Sequence, residues 1–387
     1  MARQKKERNI SYDDVRKCYY VTLEFGRDPD TGRQVKTYKT FRTLKEARAA
    51  LQLHEVARNR GEVVRPSTLT LAQWLTQWMD NVVRLSRAVT TVYAYDHMIR
   101  GYIIPLLGDT PLQKLTPQQL QGYYATLMRD RQLHSNTVRK HHDLLNAALK
   151  TAVRQGVLLR NPAQQVEAPR YQKPDIRFYT PEELQALLEL CRGDRVEVLV
   201  KLAALLGLRR EEILGLTWDC VDFDRRLITI RQVRTAAGRT VVDKQPKTPT
   251  SQRKLYMPDD LEEVLRREWD RQQHYRALLG EDYDRTGEER GGYVFVHEDG
   301  RPVRPNYASD LFTAFIRKNG LPYITLHGLR HSFASIANAK GIPIYDIGKA
   351  LGHSSSATTS KVYTHLLDQN HEGMLKRLWE TDRDAKR

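Results

Sequence analysis

The sequence predicts a multidomain protein, mainly α with small β-sheets. Three observations carry that expectation. Apolar residues recur at helical spacing through most of the chain. Alternating runs are confined to residues 19–41 and 227–257. Two polar, proline-containing stretches, 61–67 and 168–176, read as linkers. They divide the 387 residues into 1–66, a small sheet plus helix; 67–170, a helical bundle; and 175–387, a mixed α+β domain.

The composition narrows the function. A formal net charge of +16 points to a polyanionic partner, most simply nucleic acid. The charge is uneven: residues 1–66 and 67–173 each carry +7, whereas 174–387 carry only +2. The grip on a polyanion is therefore expected in the first 173 residues. Cys18, Cys191 and Cys220 are scattered, without metal-site spacing or a disulfide framework, which fits a reducing compartment. The start, MARQKKERNI, has no apolar core for a signal peptide, and no run of about 18 apolar residues occurs. A cytoplasmic protein without metal, cofactor or membrane partner is expected.

The elements follow in order. After a short basic arm, Tyr19 to Gly26 alternates, with Val21, Leu23 and Phe25 on one face. Asp28-Pro29-Asp30-Thr31-Gly32 is turn chemistry, and Gln34 to Phe41 alternates again, so a hairpin is predicted. Thr43-Leu44-Lys45-Glu46 is a capping box that opens a helix to about Arg60. Lys36 and Lys39 make this small sheet a candidate for lying in a DNA groove. In the bundle, Thr70 caps a helix with Leu71, Trp74, Leu75 and Trp78 on one stripe. A second helix runs from Thr90 as far as Pro105, Thr116-Pro117 starts a third, and Asn136 to Gln155 forms a long fourth. Its Arg139, Lys140 and His141-His142 read as a solvated or phosphate-facing patch.

Thr180-Pro181-Glu182-Glu183 opens the last domain with a helix. Val196 to Leu208 is an apolar helix ending at Gly207. Three short strands are predicted at Leu227–Val233, Arg239–Val242 and Arg253–Met257, with Ala237-Gly238 turning the first hairpin and Lys244 to Pro249 the second. Helices at Glu262–Leu279 and Asn306–Lys318 follow, separated by a polar loop at 285–292 and a short strand at Tyr293–Val296. The tail carries Met374, Leu375, Leu378 and Trp379 at helical spacing.

The chemistry concentrates in Leu326 to His365. His327 and Arg330 lie three apart, His353 follows, and Tyr363 comes ten residues later. Arg209 and Glu212 lie three apart on one predicted helix face. An arginine with two histidines and a tyrosine is suited to holding a phosphate diester and attacking it, and doing so without a metal requires neutralising a phosphorane that gains negative charge. Arg209 and Arg330 can donate in forks to its non-bridging oxygens, with His327 as a third donor. Such preorganised electrostatics is usually the largest catalytic contribution. Tyr363 is a nucleophile of the right class. A lysine on a hairpin supplies the leaving oxygen's proton, worth about 10²–10⁴ in rate.

GLRREEILGL at 207–216, LHGLRHSFAS at 326–335, LGHSS to VYTHL at 351–366 and KTPTSQRKL at 247–255 together resemble the tyrosine recombinases, particularly phage and conjugative-transposon integrases. The resemblance spans nearly the whole chain. It implies an arm-site-binding domain at 1–66, a core-site-binding domain at 67–170 and a catalytic domain at 175–387. The implied activity is site-specific recombination through a 3′-phosphotyrosine on Tyr363. Arg209, Lys247, His327, Arg330 and His353 would be the catalytic partners, Glu212 would support them, and Lys244 is the alternative to Lys247. It further implies a homo-tetramer on DNA core and arm sites, a directionality factor or host DNA-bending protein, and a bacterial cytoplasm or nucleoid. The alternatives are a type IB topoisomerase-like strand transferase, which the N-terminal module argues against, and an inactive DNA-binding relative, which the full set of catalytic residue types argues against.

Overall fold

The computed structural model describes residues 3–27, 32–173, 177–245 and 252–352. The turn expected at 28–32 lies outside the described residues except for Gly32. So do Lys247 and most of its turn, and the tail helix. The chain forms two compact units, residues 1–173 and 174–387. Among the described residues no helix is long and apolar enough to cross a membrane.

The first unit has two cores. At its start the expected hairpin, Cys18–Arg27 (β3) with Gln34–Phe41 (β4), is extended by Gln4–Glu7 (β1) and Ile10–Asp13 (β2) into an antiparallel sheet in the order β1-β2-β3-β4. The basic arm is thus itself a strand. Its polar QKKE carries no alternation, and the tight turns depend on Asn9 and Lys17 in left-handed backbone. Thr43 and Glu46 cap the Leu44–Asn59 helix reciprocally, as expected. That helix lays Ala47 on Ile10, Val21 and Leu23.

The register separates the two lysines proposed for one groove. Lys36 pairs with Glu24 on the face away from the helix, and their side chains meet at 3.4 Å. Lys39 pairs with Val21, which puts it on the helix side of edge strand β4.

The bundle core is built from Trp74, Leu75, Trp78, Leu120, Tyr124, Leu145 and Leu149, with the Trp74 indole N–H donating to Ala148 O at 3.2 Å. The helix expected to stop at Pro105 continues to Leu107. Proline has no N–H and crowds the carbonyl four residues back. Here Ile99–Ile103 forms a wide turn, in which the Ile104 N–H reaches Ile99 O five residues back. That re-registration lets the chain continue helically through the proline.

His141 is a second correction. It is buried, 1% exposed, and its Nδ1 lies 2.8 Å from the Tyr123 hydroxyl. Burial pushes its pKa down to about 4, so it is neutral and belongs to the core rather than to a phosphate-facing patch. His142, partly exposed, pairs with Tyr124 at 3.1 Å. Arg139 donates to Pro169 O at 3.1 Å, while Asn136 bonds both the N–H and the carbonyl of Gln172. The stretch read as a linker is therefore pinned along the Ser135–Arg154 helix over 169–172.

In the second unit, Thr180 and Glu183 cap the Pro181–Leu190 helix as expected. The apolar helix Glu197–Leu206 runs through the core and stops at Gly207, in left-handed backbone with φ 61°. The strand expected at 227–233 is split. Leu227–Ile230 (β6) joins Val221–Asp222 (β5) and Arg253–Tyr256 (β9) in one sheet, in the order β5-β6-β9. Val233–Ala237 (β7) starts a separate hairpin with Thr240–Lys244 (β8). The break is held where β7 crosses Gly215 so closely that a Cβ there would lie 2.8 Å from Val233 Cα. Gln232 also donates to Gly215 O at 2.9 Å. At Tyr293–Val296 there is no strand but two single bridges, Thr217 with Tyr293 and Val296 with Pro302. The helices Asp259–Leu279 and Pro305–Lys318 lie where expected.

Candidate active site

The site is built on one carboxylate. Arg209 is not inside a helix, as the spacing predicted, but caps Arg210–Leu214 from extended backbone. Glu212 Oε2 accepts the Arg209 backbone N–H at 2.9 Å, and its Oε1 accepts Arg209 Nη1 at 2.8 Å. Backbone and side chain of the same arginine are thus fixed by one residue. Gly207 makes the approach possible. A Cβ there would lie 2.6 Å from a methyl of Leu351 and 2.8 Å from the Phe333 ring, and the backbone is left-handed.

Arg330 comes from the Leu326–Ala339 helix, whose N-terminus Thr325 caps by accepting the Gly328 N–H at 3.1 Å. Its guanidinium is 2% exposed. Nη1 donates to Gly207 O and Nη2 to Leu351 O, each at 2.7 Å, and Nη1 stands 4.0 Å from Glu212 Oε2. One side chain thus ties together the three stretches of chain that bear Arg209, Arg330 and the approach to His353. His327, one turn ahead on the same helix, is exposed. Crowding by surrounding protein, then the charges of Arg330 and Arg209, push its pKa below the ordinary histidine value. The shift favours the neutral ring, which keeps one N–H to donate. His331 stands edge-on to it, ring centres 4.7 Å apart.

Burial opposes the charge of Glu212, but hydrogen bonds and attraction from Arg253, then Arg209, outweigh it and hold its carboxyl below the usual range. Arg253 is the residue that sequence reading missed. Its Nη1 and Nη2 donate to the two Glu212 oxygens at 3.1 and 2.9 Å, and its Nε donates to Ala350 O at 2.6 Å. A signal was present: Arg253 alternates with Leu255 and pairs with Ile230, so a charge occupies an inward strand position. Three guanidiniums around one carboxylate leave the site positive, as binding an anionic phosphate diester requires.

The structure therefore brings together Arg209, Glu212, His327 and Arg330. Lys247, His353 and Tyr363 lie outside the described residues. Lys244, the alternative acid, ends β8 opposite Val233. Of the proposed DNA contacts, Lys140 is exposed, Arg139 is engaged by Pro169, and Lys36 and Lys39 occupy opposite faces.

Comparison with known proteins adds the following. A family model described as the phage integrase family matches residues 177–370, and one described as the phage integrase N-terminal SAM-like domain matches 70–128. A tyrosine recombinase XerC-like protein of Caldanaerobacter subterraneus subsp. tengcongensis is 27% identical, over 93% of this chain and 95% of the relative. The integrase of the Tn1549 transposon, solved with a circular intermediate DNA, superposes with a TM-score of 0.67 at 19% identity, over 80% of this chain and 99% of that one. A lambda integrase tetramer bound to a Holliday junction gives 0.55 at 17%, over 93% and 96%.

Proposed function

This chain belongs to the phage integrase family and is a tyrosine-type site-specific recombinase, and from that premise we propose how its residues integrate and excise a mobile element. Tyr363 attacks the scissile phosphorus and forms a 3′-phosphotyrosine, which stores the bond energy for rejoining. Arg209 and Arg330 neutralise the non-bridging oxygens, His327 donates a third hydrogen bond, and His353 holds the phosphate or the tyrosine. Lys247, or failing it Lys244, protonates the leaving 5′ oxygen. The single observation that supports this reading is the convergence of Arg209 and Arg330 on buried Glu212, with the charges of both arginines acting on His327.

The rest of the chain follows from DNA as substrate. Residues 1–66 serve as an arm-site module, 67–170 as a core-site module and 175–387 as the cutting domain. A tetramer on paired sites, resembling the lambda assembly on a Holliday junction, is the working form, with a directionality factor or host bending protein setting the outcome. The first 173 residues carry +14, so affinity for DNA should fall steeply with salt. Each phosphate contact contributes about −0.9 to the log–log slope. A flat response in a fluorescence-anisotropy titration would contradict their role as the grip.

The chemical test is a nicked suicide duplex carrying the core site. Wild type should become covalently attached, and Tyr363→Phe should not. With two sites present, recombinant product is expected; relaxation of supercoiled DNA without recombinants would favour a topoisomerase instead.

A further inference from the structure

We propose that Arg253 is a positioning residue for strand cleavage, holding Glu212, and through it Arg209, in register with the turn at residues 350–352. The inference rests on the recombinase reading and concerns a residue that reading leaves without a role.

The geometry is specific. Arg253 donates a fork to the two oxygens of Glu212 and its Nε–H to Ala350 O. Its side chain is 7% exposed, so these bonds form away from competing water. Gly352 closes against it: a Cβ there would lie 2.9 Å from Arg253 Nη1, and the Gly352 backbone is left-handed. Glu212 fixes Arg209 only as firmly as its own carboxylate is held. A carboxylate held only by Arg209 would rotate with it, whereas a second, bidentate partner from β9 fixes the carboxylate plane. Arg209 Nη2 also reaches Gly352 O, at 3.4 Å. Arg253 therefore links three places at once: the start of β9, six residues after Lys247; the Arg209–Glu212 pair; and the turn three residues before His353. Lysine at this position has a single ammonium and cannot make the fork and the carbonyl bond together.

The test uses the full chain, with Arg253→Met and Arg253→Lys. Cleavage of the suicide duplex should slow about 10²-fold in Arg253→Met, the scale of a misplacement of about 1 Å in a catalytic group. Arg253→Lys, which keeps the charge, should lose about tenfold. Affinity for DNA by gel shift should stay within about twofold, since only 7% of the Arg253 side chain is exposed. A neutral methylphosphonate at the scissile position removes the anionic charge that Arg209 must meet. On that substrate the Arg253→Met deficit should shrink to less than about fivefold. A general packing defect would persist unchanged on both substrates, and that result would overturn the proposal, as would wild-type rates in Arg253→Met. A readout independent of cleavage is the Glu212 carboxyl followed by carbon NMR on labelled protein. Its titration should move upward in Arg253→Met, and an unmoved resonance would overturn the inference. If wild type itself forms no adduct, the recombinase reading fails, while the Glu212 titration still decides the link to Arg253.

Discussion

Arg330→Ala should cut covalent DNA cleavage by about 10³-fold, the upper range for losing one preorganised donor to a developing oxyanion. It should also destabilise the second unit by about 3–5 kcal/mol, the scale of breaking a buried charge cluster. Both effects have the same origin. The guanidinium donates to Gly207 O and Leu351 O at 2.7 Å, with the residue only 2% exposed. Its removal leaves two buried acceptors without those donors, and Glu212 with one cation fewer. It also frees the Gly207 and Leu351 segments from one another, so Arg209 loses its reference frame. Arg330→Lys restores a charge but not the span between the two carbonyls, so it should recover part of the stability and little of the cleavage. Thermal unfolding of the full chain and single-turnover adduct formation measure the two effects separately.

Glu212→Ala should be comparably damaging to stability, again about 3–5 kcal/mol, because it strands the buried fork of Arg253 and the cap of Arg209. The pH dependence of this contribution has a definite sign. The folded pKa of Glu212 is held below its ordinary 4.5, so its stabilisation is complete above that value and is lost as pH falls through the folded one. Glu212→Gln keeps the shape without the charge. Its unfolding midpoint should lie well below wild type near pH 7, and the gap should narrow as pH falls below about 4.5. A gap that widened with acid would contradict the assignment of the carboxylate as the charged hub.

Much of this site was legible because its chemistry is written in spacing. His327 and Arg330 had to share a helix face, and Arg209 and Glu212 had to meet three residues apart. The meeting is real, although the arginine turns out to cap the helix rather than sit within it. The capping boxes at Thr43, Thr70, Thr116 and Thr180 set helix starts by local hydrogen bonds, so they were readable too. What escaped depended on contacts distant in sequence. Arg253 acquires its meaning only when β9 brings it beside a carboxylate 41 residues away. His141 looked solvated beside Arg139 and Lys140 because nothing local reveals the Tyr123 hydroxyl that buries it. Pro105 read as a stop because a wide helical turn leaves no compositional mark. β1 and β2 read as a basic arm because edge pairing needs backbone, not apolar side chains.

The most direct measurement is mass mapping of the trapped adduct. Wild type would be reacted with the suicide duplex, the DNA trimmed with nuclease, and the protein digested with trypsin. The account predicts a residual nucleotide on the peptide of residues 362–376, at Tyr363. Attachment at any other residue, or wild type that binds the duplex without forming an adduct, would contradict it.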